Sequence, residues 1–113
     1  QDRKKDIIIS GGENISSLEV EKALLAHPAV LECAAIPVPH PTWGEATRGL
    51  VVVKPDQQIT EEELLEHCKQ HLAGFKVPQG IDFFDSLPKG GTGKILKREL
   101  REPYWKGHTK RVH

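Results

Sequence analysis

No methionine occurs in this chain, cysteine appears only twice, and the aromatic residues amount to two tryptophans, one tyrosine and three phenylalanines. Charge of one sign is missing too, because sixteen basic residues face sixteen acidic ones. Without a net field, nothing points to nucleic acid or an anionic membrane as partner. No apolar run approaches the ~18 residues of a membrane span. Two cysteines exclude a disulfide framework. Cys33 lies in an apolar strand-like run and Cys68 in a helix-like one, so both read as buried free thiols, which fits a reducing cytoplasm. Six histidines are present, and His67 and His71 stand four apart on one predicted helix. Neither Cys-x-x-Cys nor His-Glu-x-x-His accompanies them, so no metal site is assigned. At 113 residues the chain can form one small domain with a core. It opens inside a motif rather than at a methionine, and the expectation is a piece of a longer protein.

The chain does carry two glycine-centred motifs. Near the end runs Leu87-Pro88-Lys89-Gly90-Gly91-Thr92-Gly93-Lys94-Ile95. Glycines permit a sharp turn or close approach, and a lysine at their end delivers a mobile point charge to a small anion. The phosphate loop of nucleotide hydrolases does not fit, since Pro88 takes the place of its first glycine and Ile95 that of its Ser/Thr. Near the start runs Asp2-Arg3-Lys4-Lys5-Asp6-Ile7-Ile8-Ile9-Ser10-Gly11-Gly12-Glu13-Asn14-Ile15. Ile7 to Ile9 favour a strand, and Gly11-Gly12 a tight turn. Ser16 and Glu19 have capping-box spacing and start a helix near Ser17.

Between the motifs the pattern alternates strands and helices. A first helix is expected from about Ser17 to His27, with Leu18, Val20, Ala23, Leu24 and Leu25 facing the core. Leu31 to Val38 reads as a strand and Pro39 to Glu45 as a loop. The near-continuous apolar run Leu50 to Val53 implies a central strand covered on both faces. Thr60 and Glu63 repeat the capping-box spacing. The helix they open presents Leu64, Leu65, Cys68 and Leu72 inward, and Gly74 is expected to end it. Ile81 to Phe84 gives another strand. A last short helix is expected to open near Lys94, with Leu96 and Leu100 on one side. The segment 104–113 reads as a flexible tail. The fold class is α+β: a small mixed β-sheet with packed helices, preceded by a short two-stranded hairpin.

Taken in order, the motifs resemble one family. They are the Asp-Arg-x-Lys-Asp segment, Ser-Gly-Gly-Glu-Asn-Ile, Glu19-Val20-Glu21, His27-Pro28-Ala29-Val30, Pro39-His40-Pro41-x-Trp43-Gly44-Glu45, Phe75-Lys76-Val77-Pro78 and the terminal Leu-Pro-Lys…Gly-Lys-Ile. Nearly the whole chain is similar to the C-terminal lid domain of adenylate-forming, acyl-activating enzymes, with residues 1–6 as hinge segment and the large N-terminal domain absent. The resemblance implies an acyl-CoA synthetase. A carboxylic acid, with a fatty acid favoured, reacts with ATP to an acyl-adenylate and pyrophosphate, and CoA then displaces AMP. Partners are the protein's own N-terminal domain, the acid, ATP and CoA, with Mg2+ bound mainly by the absent domain. Lys94 matches the adenylation lysine, Lys5 the hinge and Arg3 the nucleotide contact. Gly11, Gly12, Trp43, Phe75 and Lys76 match positions bordering CoA and its pantetheine arm. Val77 and Gln79 depart from relatives that carry basic residues there. Phe-Lys-Val-Pro resembles CoA ligases, whereas adenylation domains that load a carrier protein show Leu-Pro-x-Tyr-Met-x-Pro. That acceptor is the alternative, and a non-catalytic interaction module is the third.

Overall fold

The computed structural model describes residues 6–107. Arg3 and Lys5 therefore lie outside the described residues, as does 108–113 of the expected tail. The elements run β1 (Ile7–Ser10), β2 (Glu13–Ser16), α1 (Ser17–Leu25), β3 (Val30–His40), β4 (Gly44–Val53), α2 (Glu61–His71), β5 (Gly80–Phe83) and α3 (Lys97–Trp105). A 3-10 turn at Gly74–Lys76 precedes β5.

One mixed sheet organises them, and β4 is its hub. β3 pairs antiparallel with β4 from Val30↔Val53 to His40↔Gly44. β5 pairs with β4 in parallel from Arg48↔Gly80 to Val51↔Phe83. The β1–β2 hairpin joins through Ser10↔Gly44. Alternation along the strands splits the core in two, as a period of two requires. Cys33, Ala35 and Val51 join Val20 and Leu24 of α1 and Leu64 and Cys68 of α2 on one face. Ala34, Ile36, Val38, Leu50 and Val52 join Leu87 and Leu100 of α3 on the other. The apolar run in β4 is thus covered on both sides, and the α+β class with its entry hairpin is the architecture observed. No helix among the described residues is long and apolar enough to cross a membrane.

Local chemistry sets the helix starts. Thr60 forms a full capping box: Glu63 N–H donates to Thr60 Oγ1 at 3.1 Å, and Thr60 N–H to Glu63 Oε1 at 2.9 Å. Ser16 accepts from Glu19 N–H at 3.3 Å. The Glu19 carboxylate does not reciprocate, because it accepts from Lys76 Nζ at 3.0 and 3.2 Å.

Five expectations are corrected. Leu18 and Leu25 do not face the core; they are 55% and 51% exposed, while Ser17, Val20, Ala23 and Leu24 are buried. At 100° per residue those four form one stripe, with Leu18 and Leu25 on the far side. The loop from Pro39 to Glu45 shrinks to Pro41-Thr42-Trp43, because Gly44 at φ +83° closes a three-residue hairpin. Gly74 does not end α2; Leu72 turns extended at φ −132°, ψ 149° while its N–H still bonds Cys68. The last helix opens at Lys97, leaving Lys94 on the preceding turn. Tyr104 and Trp105 belong to α3 and are tied down. The Tyr104 hydroxyl donates to Asp82, and Trp105 Nε1–H to the Pro37 carbonyl at 2.9 Å.

Candidate functional site

Lys94 stands on a turn held from both sides. The Pro88 carbonyl accepts from Leu96 N–H at 2.9 Å, the Lys94 carbonyl from Gly90 N–H at 2.8 Å, and the Gly90 carbonyl from Gly93 N–H at 3.0 Å. Gly93 takes φ +86°, a conformation that costs any other residue steric strain. Leu87 anchors the entry to the turn in the core. Lys89 grips β3, its ammonium 2.8 and 3.0 Å from the two Glu32 oxygens. Lys94 itself is exposed. Among the described residues its ammonium pairs with no carboxylate.

Lys97, three residues on, is fully engaged. Its ammonium lies 2.6 Å from Glu21, 3.8 Å from Asp6 and 3.2 Å from Ser17 Oγ. Glu21 also accepts Ala35 N–H at 2.9 Å. The exit of the Lys94 turn is thereby fastened to α1, to β3 and to Asp6.

The second site is a cleft of about 250 Å³ between the hairpin tip, the β3–β4 turn and the 3-10 turn. It brings together Gly11, Trp43 and Phe75 from three distant parts of the sequence. Gly11 N–H donates to the Trp43 carbonyl at 3.1 Å. Gly11 has φ +58°, and a Cβ there would lie 3.4 Å from Trp43 Cδ1. Trp43 and Phe75 expose 43% and 50% of their surface, large fractions for aromatic rings otherwise bound for the core. Gly12 and Lys76 sit beside the cleft rather than on its wall. Gly12 has φ +87° with nothing within 4 Å of a Cβ. Lys76 is committed to Glu19 and lies 5.6 Å from the Phe75 ring centroid, within cation–π reach. Val77 and Gln79 also line the cleft.

Sequence reasoning missed several contributors because their partners are far away in the chain. Glu45 accepts Ile9 N–H at 2.9 Å and so clamps β1 to the β3–β4 hairpin. Thr47, only 3% exposed, lines the cleft with an Oγ1 that has no hydrogen-bond partner among the described residues. The capping and turn signals of the sequence cover neighbours three or four residues apart, and these contacts span more than that.

The two sites lie at opposite ends of β3. Glu32, gripped by Lys89, and His40, beside Trp43, are eight residues apart on that strand, about 26 Å at ~3.3 Å per residue.

Neither thiol is a nucleophile. Burial, then the Glu21 charge, pushes Cys33 up to about 12, and burial pushes Cys68 up to about 11, far from the thiolate that reactivity requires. No group of three or more His, Cys, Asp or Glu among the described residues could hold a metal ion. His67 Nε2 donates to the Ala23 carbonyl at 2.7 Å and His71 Nδ1 to the His67 carbonyl at 3.0 Å. The first joins α2 to α1, and the second stays within α2.

Comparison with known proteins gives consistent results. The family model for the AMP-binding enzyme C-terminal domain matches residues 19–94. A peroxisomal trans-cinnamate:CoA ligase of Petunia hybrida is 53% identical over 102 residues, covering 90% of this chain and 18% of that protein. The Mycobacterium tuberculosis fatty acyl CoA synthetase superposes with TM-score 0.83 and 41% identity over 88% of this chain and 20% of its own. ATP-bound MatB from Rhodopseudomonas palustris superposes with TM-score 0.86 and 38% identity over 91% and 20%. The chain therefore spans about a fifth of the length of these relatives.

Proposed function

The chain belongs to the AMP-binding enzyme C-terminal domain family, and from that premise we propose that it is the lid of an ATP-dependent acid–CoA ligase whose large N-terminal domain lies outside these residues. One observation carries this reading. An ammonium that pairs with no carboxylate among the described residues, on a fixed turn, and an aromatic-walled cleft occupy opposite ends of one strand. Such a lid can offer one end to the nucleotide and, after rotating, the other end to a thiol.

In the first half-reaction a carboxylate oxygen bonds to the α-phosphorus of ATP and the bond to pyrophosphate breaks. Both reactants are anionic, and charge builds as they meet. The Lys94 ammonium, held ready by its turn, offsets that charge without having to be organised during the reaction. In the second half-reaction the thiol sulfur bonds to the acyl carbonyl carbon and AMP leaves. The cleft beside Gly11 and Gly12 admits the extended pantetheine arm. Phe75 offers a ring face to the adenine of CoA, and Lys76, paired with Glu19 in this structure, meets the CoA phosphates by exchanging that partner. Arg3 and Lys5 keep the roles that the resemblance gives them, at the nucleotide and the hinge, where a few dihedral changes can swing a domain. Mg2+ finds no ligand cluster among the described residues, and no step here passes through it.

The acid remains a matter for the other domain. The relatives' names include a cinnamate ligase and a fatty acyl synthetase, so this family of lids accompanies both aromatic and aliphatic acids, and a fatty acid is the class favoured for this one. Buried free thiols fit the reducing cytoplasm expected from the sequence. The test is ATP–pyrophosphate exchange by the full-length protein over a panel of carboxylic acids, with and without CoA. Acid-dependent exchange followed by CoA thioester formation is expected. Exchange without CoA turnover would replace CoA by a carrier protein, and no exchange with any acid would overturn the ligase reading.

A further inference from the structure

The β3–β4 turn is short, exposed and polar, yet its tryptophan is held in one orientation. His40 does the holding. Its ring is stacked on the Trp43 indole, with centroids 4.1 Å apart and planes within 6°. Its Nδ1 accepts two backbone N–H groups, from Thr42 and from Trp43, each at 3.1 Å. Accepting at Nδ1 places the ring proton on Nε2 in the neutral imidazole. From the other side Gly11 N–H donates to the Trp43 carbonyl. The Trp43 backbone is thus gripped at its N–H by β3 and at its carbonyl by the hairpin tip, and its side chain is braced by the imidazole face.

We propose that His40 is a positioning residue for the thiol acceptor: it fixes Trp43 as a preformed wall of the cleft, so that the CoA arm meets an indole already in place. This rests on the reading of the cleft as the CoA site. The gain is one of preorganisation. Without His40 the two N–H groups turn to water, which the exposed turn permits, and the fold survives. The indole must then be ordered at the moment of binding, and affinity pays that cost. The acceptor atom matters more than the ring. Asn carries an oxygen at the branch position where His carries Nδ1, and such side chains close turns by bonding backbone N–H groups ahead of them.

The test uses the full-length ligase with His40→Ala, His40→Asn, His40→Phe and Trp43→Ala, reading KM for CoA beside acid-dependent pyrophosphate exchange. His40→Ala and Trp43→Ala are expected to raise KM for CoA about tenfold, with the defect concentrated in the thioester half-reaction. His40→Asn should return KM to within about twofold of the parent, and His40→Phe, which stacks but accepts nothing, should behave as Ala. A His40→Ala protein with parental KM, where Trp43→Ala raises it, overturns the inference and leaves the cleft reading standing. Parental KM in both variants overturns the cleft reading and the inference with it. Rescue by Phe and not by Asn overturns the role given to Nδ1.

Discussion

At the scale of single residues the structure separates charged groups left exposed from charged groups that hold elements together. Lys94 and Lys97 show the contrast: three residues apart, one ammonium pairs with no carboxylate among the described residues, and the other is bound to Glu21, Asp6 and Ser17. The Lys-Ile motif marked Lys94 in the sequence, whereas nothing local marked Lys97, whose partners lie more than seventy residues away. His27 gives a residue-scale prediction. Burial, then the neighbouring His67, holds its imidazole below the ordinary value of 6.5, with Glu63 opposing. The His71 ring lies tilted against His67, centroids 4.4 Å apart. A base whose folded pKa is lowered favours the folded state above its unfolded pKa, and that contribution is lost as pH falls through the folded value. The urea midpoint should therefore drop between pH 7.5 and 5.5, and His27→Asn, which keeps an acceptor for Ala29 N–H, should reduce the drop. An equal drop in both proteins would remove His27 from the account.

Elements were legible where short-range chemistry decides them. The Thr60 capping box was visible as a spacing and is present as two bonds. Thr60→Ala should cost about 1 kcal/mol of stability by denaturant unfolding; a change below about 0.3 kcal/mol would show that packing alone sets the start of α2. The run Leu50 to Val53 announced a strand covered on both faces, and β4 is that strand. Its earlier half was not legible, because Thr47, Arg48 and Gly49 carry no strand pattern and are drawn in by pairing with β3. The bounds of α3 are not legible in the sequence for a similar reason. Its start follows the tight turn that Gly93 allows, and its end is fixed by bonds to Asp82 on β5 and Pro37 on β3. The exposure of Leu18 and Leu25 could not be read from hydrophobicity alone, since two apolar stripes compete on α1 and only the tertiary structure chooses between them. The cleft was legible as three motifs and illegible as one place, because Gly11, Trp43 and Phe75 meet only through β-sheet register.

On the scale of the whole molecule, the sheet is a spacer. Its long β3–β4 pair keeps the Lys94 turn and the aromatic cleft apart, so one rigid body can serve two chemical steps only by turning. That is the central claim, and lesions at the two ends should fail in different steps. The direct measurement is to make Lys94→Ala and Gly12→Leu in the full-length protein and assay each half-reaction separately. The account predicts that Lys94→Ala loses on the order of 10²–10³ in adenylation yet forms thioester from a supplied acyl-adenylate, while Gly12→Leu still releases pyrophosphate and forms no thioester. Equal loss of both half-reactions in either variant would contradict it.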